Sequence, residues 1–378
     1  MASNVMFVHR GGNQIRGTEE CLLALLRNID RGKICPFVLC TNKVLLESVR
    51  KYDIEALLFD LPEIMVDGKD VRLSFLKYAK TIIRLRSLLI RKDIKLVYCS
   101  GGHPCQISVP AAKSLKTPVL CHFHHPSPKR YYYLWLVKFA DAVIFPSDFT
   151  RKHSIKKAGV DGEVMYNGIN TWSEFIPAKS KNFYLRRFHG IEDDEIVIGQ
   201  ISTFVPTKGH KDLLMAFKTA LAKINNLKLI LIGEGPIRKE VQVMAREIGV
   251  GDKVIFPGYV DSVADYLQHV IDINVLASSE EGLGIVLLQA SACGLPNIGT
   301  DCTGIREAIQ NNVTGYLFEK GDTNDLAKRI IELARNSQRR SLMGNAGREY
   351  VVREFSETRY ATKIQEKMLA LIKERAGE

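Results

Sequence analysis

The residues with the clearest chemistry lie in Ser279-Glu280-Glu281-Gly282-Leu283-Gly284-Ile285-Val286-Leu287-Leu288-Gln289-Ala290, an acidic, glycine-punctuated loop that runs into an apolar helix. A carboxylate just before a helix start can hold sugar hydroxyls, while the free N–H groups and positive end of the helix attract a diphosphate. Gln289 follows Glu281 by eight residues. It lies about one turn into the helix and, at ~1.5 Å rise per residue, trails the helix start by roughly 6 Å, a reach from phosphate to ribose.

Lys208 follows a strand expected at 196–201 by a short loop, so its ammonium can meet the negative charge of a departing diphosphate. A second glycine-rich loop, Gly11-Gly12-Asn13-Gln14-Ile15-Arg16-Gly17-Thr18-Glu19, separates the first strand from a helix expected over 20–28. Glycine lets backbone approach a phosphate closely, and the helix start supplies donors. His122, His124 and His125 cluster after another strand, yet no carboxylate or cysteine is spaced to complete a metal site. No Asp-x-Asp pair stands out either, so no metal and no cofactor is expected.

These groups need strand ends to hold them, and short apolar runs alternate with helical patterns along the whole chain, as in parallel sheets with crossover helices. Strands are expected at 4–8, 36–40, 56–59, 94–98, 118–121, 142–145 and 164–166, and then at 196–201, 228–232, 253–256, 271–276 and 296–299. Turn residues from Asn167 to Pro177 followed by the basic stretch 179–187 read as a linker. The expected domains are 1–175 and 190–357, with an amphipathic helix from 358 whose Tyr360, Ile364, Met368 and Ile372 recur every four residues.

A chain of 378 residues exceeds what one core usually serves. No run of ~18 apolar residues is present and the N-terminus lacks the pattern of a secretion signal, so the expected location is cytoplasmic. The eight cysteines form no Cys-x-x-Cys pair and read as buried thiols. Residues 1–179 carry 27 Lys and Arg against 16 Asp and Glu, whereas 180–378 carry 26 against 26. The one-sided excess suggests an anionic partner, and without a nucleic-acid motif that partner is a membrane surface or an anionic acceptor rather than nucleic acid. The basic segment 72–92, with Leu73, Leu76, Ile83 and Leu88 among its cations, reads either as a sheet-covering helix or as a membrane-facing one.

Five landmarks now stand in order: Gly199 to Lys208-Gly209-His210, Leu231-Ile232-Gly233-Glu234-Gly235-Pro236, Phe256-Pro257-Gly258-Tyr259-Val260, the Glu281 segment, and Thr303-Gly304-Ile305-Arg306-Glu307. In these the chain resembles glycosyltransferase family 4, retaining enzymes of the GT-B fold. The resemblance implies two facing Rossmann-like, doubly wound parallel-sheet domains with a C-terminal helix packed back on the first. The second domain would hold a nucleoside diphosphate sugar, UDP- or GDP-linked, and the first a glycan, lipid-linked or phosphorylated acceptor. It assigns chemistry to His124, Lys208 and Glu281. Donor contacts fall to Arg16, Gly17, Thr18, Ser202, Thr203, Gly233, Val260, Gly282, Leu283, Gly284, Ile285, Val286 and Gln289. His124 would bind sugar hydroxyls and support transition-state charge, and Glu281 would bind hydroxyls without forming a covalent intermediate.

Two departures matter. Ser202 and Thr203 stand where the family often has an Arg, and Gln289 replaces the family's second Glu. An amide has one acceptor oxygen and an NH2 donor in place of a carboxylate's two acceptors. The departures leave open a protein of the same fold that binds a nucleotide sugar or a partner transferase without transferring sugar. A sugar-nucleotide epimerase would need acid and base carboxylates that the sequence does not display.

Overall fold

The computed structural model describes residues 2–12, 15, 17–62, 75–180 and 182–377. Asn13, Gln14, Arg16, Arg72 and Leu73 lie outside the described residues. The chain divides into two compact units, Met1–Gly168 with Glu357–Glu378, and Ile169–Ser356.

The first unit contains β1 (Ser3–His9), β2 (Ile34–Cys40), β3 (Glu55–Leu58), β4 (Leu96–Ser100), β5 (Val119–His122), β6 (Ala142–Phe145) and β7 (Glu163–Val164). They pair in the order β3-β2-β1-β4-β5-β6-β7, all parallel. Alternate side chains of a strand face opposite sides. Val5 and Phe7 therefore join a core with the helices Gly17–Asn28 and Glu357–Ala376, while Met6 and Val8 join a second core with helices Phe75–Arg91 and Cys105–Lys113. Both faces are covered, which is why these strands read as continuous apolar runs. The helix Glu357–Ala376 packs Tyr360, Ala361, Ile364, Met368 and Leu371 into the first core, and Glu357 pairs with Arg27 and accepts from Asn28 Nδ2 at 3.0 Å.

The second unit contains β8 (Ile196–Ile201), β9 (Leu227–Ile232), β10 (Val254–Gly258), β11 (Ile273–Leu276), β12 (Asn297–Thr300) and β13 (Gly315–Phe318), in the parallel order β10-β9-β8-β11-β12-β13. β13 is absent from the sequence reading. Four residues after a turn carry too little periodicity to be told from loop.

The stretch read as a linker is folded into the second unit. Arg186 is 1% exposed, donating through Nη1 to Val270 O at 3.0 Å and standing 3.3 Å from Asp272. Ile169 and Phe175 are buried and Arg348 donates to Thr171 O at 3.3 Å, so the break falls at Gly168 and not at 175–190. A basic composition suggested solvent. The carbonyls of Val270, Glu192 and Glu195 and the Asp272 carboxylate instead take the two terminal nitrogens of the buried guanidinium, while its Nε has no partner among the described residues. Among the described residues no helix is long and apolar enough to cross a membrane.

Candidate active site

In open parallel sheets, ligands bind beyond the carboxyl ends of the strands where the winding reverses. In the second unit that point lies between β8 and β11. Gln200, fully buried near the end of β8, accepts from Ala277 N at 3.1 Å and donates to Lys208 O at 3.0 Å, tying together the loops that leave both strands. Gly209 closes the same junction with φ 65°, and a Cβ there would meet Ala277 O at 2.0 Å. The result is that Lys208 Nζ forms an ion pair with Glu281 Oε1, and Ser278 Oγ donates to that oxygen at 3.0 Å. Both partners are largely covered, with side chains 22% and 16% exposed.

The Thr303-Gly304 landmark turns out to hold Glu281. Its N–H donates to Thr303 Oγ1 at 2.9 Å, and its carbonyl accepts from Gly304 N at 3.1 Å. Thr303 sits at φ 43°, a conformation costly for a β-branched residue. A Cβ on Gly304 would lie 2.0 Å from Gly282 O, so only glycine admits this approach. Beyond the clamp, Gly284 at φ 76° precedes the helix Ile285–Ala292 and gives it no side-chain cap. The first-turn N–H groups have no partner within the helix.

Ser202 accepts from Gln200 Nε2 at 3.3 Å and contacts His210 Nε2 at 3.2 Å, and its carbonyl would lie 2.2 Å from a Cβ on Gly233. Burial first, and then the neighbouring Lys208, push His210 down to about 4. Thr203 is exposed, and Leu283 is 3% exposed with its side chain turned inward, leaving its backbone for any ligand. Ile285, Val286 and Gln289 are half-buried on the helix. Val260 lies in the turn after β10 with no recorded bond to the Lys208–Glu281 pair.

The first unit reverses its winding between β1 and β4. Register sets His9 against Ser100, and Ser100 against His122, at three adjacent strand ends. His9 Nε2 lies 3.1 Å from Glu19 Oε1, His9 Nδ1 lies 3.0 Å from Ser100 Oγ, and Ser100 Oγ lies 3.4 Å from His124 Nε2. A cavity of about 240 Å³ is lined by His9, Thr18, Ser100, His103 and His124, among others. Three imidazoles in and beside it are pushed toward the neutral form. Burial pushes His122 and His103 to about 3, with Arg10 contributing at His103. Burial also lowers His124 well below the usual imidazole range, with the charges of His122, His125 and His9 adding to it. For Glu19, burial works upward and the hydrogen bond and charge of His9 outweigh it, so its pKa falls.

The structure therefore gathers Lys208, Glu281, Ser202 and Gly233 in one unit and His124 with Thr18 in the other. Gly17 is the exposed first residue of its helix, and Arg16 is outside the described residues. Sequence reasoning missed His9, Ser100, Gln200 and the clamping role of Thr303. A signal existed for two of them: His9 directly follows the strand expected at 4–8, and Ser100 lies two residues past the one expected at 94–98. Gly11 also takes a new reason, since a Cβ there would lie 2.0 Å from Glu19 Oε1 and 2.7 Å from His9 Nε2. Among the described residues no three His, Cys, Asp or Glu side chains converge as a metal-ligand set.

Residues 183–350 match the family model of glycosyl transferases group 1, and residues 23–173 match that of glycosyltransferase family 4. The chain is 33% identical to the N-acetyl-alpha-D-glucosaminyl L-malate synthase of Bacillus anthracis over 56% of its own length and 55% of that protein's, so this match spans about half of the relative. It is 26% identical to a GDP-mannose-dependent alpha-(1-6)-phosphatidylinositol monomannoside mannosyltransferase of Mycobacterium tuberculosis, over 75% of this chain and 77% of the other. In fold it is similar to Anabaena HepE, crystallised with UDP and glucose, at a TM-score of 0.84 and 18% identity, covering 97% of this chain and all of that one. With both halves matched, and with two parallel-sheet units of this topology, the chain belongs to glycosyltransferase family 4 of the GT-B fold.

Proposed function

We propose that this chain is a retaining, metal-independent glycosyltransferase that moves a sugar from a UDP- or GDP-sugar to a glycan, lipid-linked or phosphorylated acceptor. The observation that carries the reading is the Lys208–Glu281 pair beside an uncapped helix start at the winding reversal of the second unit. Lys208 and the helix start supply positive charge for a departing diphosphate, so the chemistry needs no cation. Glu281, already engaged by Lys208 and Ser278, holds sugar hydroxyls and does not attack the anomeric carbon. The leaving phosphate deprotonates an acceptor arriving on the same face. A GDP-mannose-dependent relative supports a nucleotide-sugar donor.

The test is purified protein with a panel of UDP-, GDP- and ADP-sugars, followed for hydrolysis and transfer. Product with the donor's anomeric configuration, unchanged by EDTA, is the expected result. No turnover with any donor ends the reading.

The acceptor side is the basic first unit, with 31 Lys and Arg against 19 Asp and Glu. In its helix Phe75–Arg91 only Thr81, Leu85 and Leu89 are buried. Leu76, Ile83 and Ile90, seven residues apart, are 76%, 66% and 54% exposed among Lys77, Lys80, Arg84, Arg86 and Arg91. Such a stripe suits the inner face of an anionic membrane, with the protein cytoplasmic and peripheral. Pelleting with phosphatidylserine vesicles should occur at low salt and fade as salt rises. No pelleting at low salt removes the membrane from the proposal.

A further inference from the structure

The buried chain Glu19–His9–Ser100–His124 crosses four segments of the first unit and ends at the cavity. His9 is 1% exposed, Glu19 2%, Ser100 3% and His124 6%. Its polarity follows from chemistry. An ionised carboxylate only accepts hydrogen bonds, so Glu19 requires a proton on His9 Nε2. When His9 carries a single ring proton, the form that dominates for imidazole at about pH 8, its Nδ1 is then an acceptor and takes the hydroxyl proton of Ser100. The Ser100 oxygen is left to accept, which places the proton of His124 on Nε2. His124 Nδ1 becomes a bare lone pair, and it is a buried atom with no hydrogen-bond partner among the described residues.

We infer that Glu19, His9 and Ser100 are positioning residues that fix the tautomer of His124, presenting its Nδ1 as a hydrogen-bond acceptor for a hydroxyl of the bound substrate. Gly11 belongs to the same device. Its missing side chain is what lets the carboxylate reach His9, because a Cβ would lie 2.0 Å from Glu19 Oε1. Thr18 completes the orientation by donating its hydroxyl to Glu19 Oε2 at 3.0 Å. The charged and titratable groups around His124 are His9, His122 and His125, with Arg10 and His103 lining the same cavity. His122 packs on it with ring centroids 4.0 Å apart, and is itself bonded to Tyr98 at 2.7 Å. The use made of this lone pair rests on the transferase reading, whereas the tautomer can be read without any substrate.

The experiment labels the full chain with 15N in its histidine rings and records ring-nitrogen shifts at about pH 8, where neutral imidazole dominates. His124→Gln assigns the resonance. The expected wild-type state has Nε2 protonated and Nδ1 bare. In Glu19→Gln the oxygen stays toward Thr18 and the amide NH2 turns to His9, which reverses the chain and moves the His124 proton toward Nδ1, at least doubling that form. Ser100→Ala cuts the chain, so Glu19→Gln adds no further change in its background, and Ser100→Thr restores the coupling. Nδ1 protonated in the wild type overturns the inference, as does a folded Glu19→Gln protein with an unchanged tautomer. If Glu19→Gln does not fold, the wild-type shifts and the loss of the His124 Nε2 proton signal in Ser100→Ala decide the matter. A wrong tautomer with intact transfer activity sinks this inference alone, while the expected tautomer without activity sinks only the transferase reading.

Discussion

The two units place chemistry at the same topological position and build it from opposite materials. Beyond β1, β4 and β5 lie imidazoles, a hydroxyl and the carboxylate of Glu19, sealed to a few per cent exposure. Beyond β8 and β11 lies an ion pair left about one-fifth open. The unit charges follow the same division. The first carries a net +12 from 31 Lys and Arg against 19 Asp and Glu, and the second a net −1 from 22 against 23, yet among the described residues Arg10 is the one Lys or Arg that lines the cavity in the basic unit. Parallel winding fixes where a ligand can approach. It leaves open whether that place is charged, and burial and partners decide it together: a sealed group with no opposite charge beside it is pushed toward neutral, as at His122 and His124, while a sealed group with a partner stays ionised, as Glu19 does beside His9.

The strongest way to break this contrast is to remove the charge from the second site. Lys208→Ala should lower kcat by about 10² to 10³, the usual loss when a group stabilising transition-state charge is deleted. Steady-state kinetics with the preferred donor would check it, and a loss below tenfold would make the lysine a loop residue. Next in size is the junction that holds it. Gly209→Ala should cost ~2–4 kcal/mol of stability, since the new Cβ meets a carbonyl at φ 65°. Gly12→Ala, with nothing within 4 Å of its Cβ, should leave the melting temperature of the first unit unchanged.

Glu281→Gln should have effects of opposite sign on two ligands. Releasing Lys208 tightens binding of a free nucleoside diphosphate, while exchanging a charged acceptor for a neutral one weakens the nucleotide sugar by about tenfold. Calorimetry with both ligands tests this, and parallel changes would show that the pair does not govern the site.

Acid should separate the units by a smaller effect. Burial lowers His122 and His103 to about 3 and His124 well below 6.5, while the unfolded chain protonates near 6.5. The unfolded state therefore binds more protons below 6.5, and the stability held in these rings is full above that pH and falls as pH drops toward 3. The lowered Glu19 acts in the same direction at lower pH. The second unit has His210, lowered to about 4, and His189, lowered by burial. The first unit should thus melt earlier on acidification from pH 6.5 to 4, followed by hydrogen exchange resolved by segment. The smallest effect is expected from Gln289→Glu, at most about tenfold in donor affinity. A gain from no activity to ample activity would favour a degenerate site over an adapted one.

Much of this was legible in the residues. Apolar runs gave all but one strand, because both sheet faces are covered and each strand reads as a block. β13 escaped as four residues behind a turn. The motifs single out Gly209, Gly233 and Gly284, and at each the backbone takes a positive φ that only glycine meets without strain. Arg186 misled, since a cation in a polar stretch says nothing of the carbonyls that will surround it after folding.

The sequence by itself determined the alternation of strand and helix, the loops at which strands would end, and the residue types delivered there. Only the tertiary structure decided which of them meet. Lys208 and Glu281 are 73 residues apart, and His9 and Ser100 are 91 apart. Side-chain periodicity states which face a residue takes. The neighbour across that face is set by the register of parallel strands joined through long crossovers, and no local pattern encodes that register.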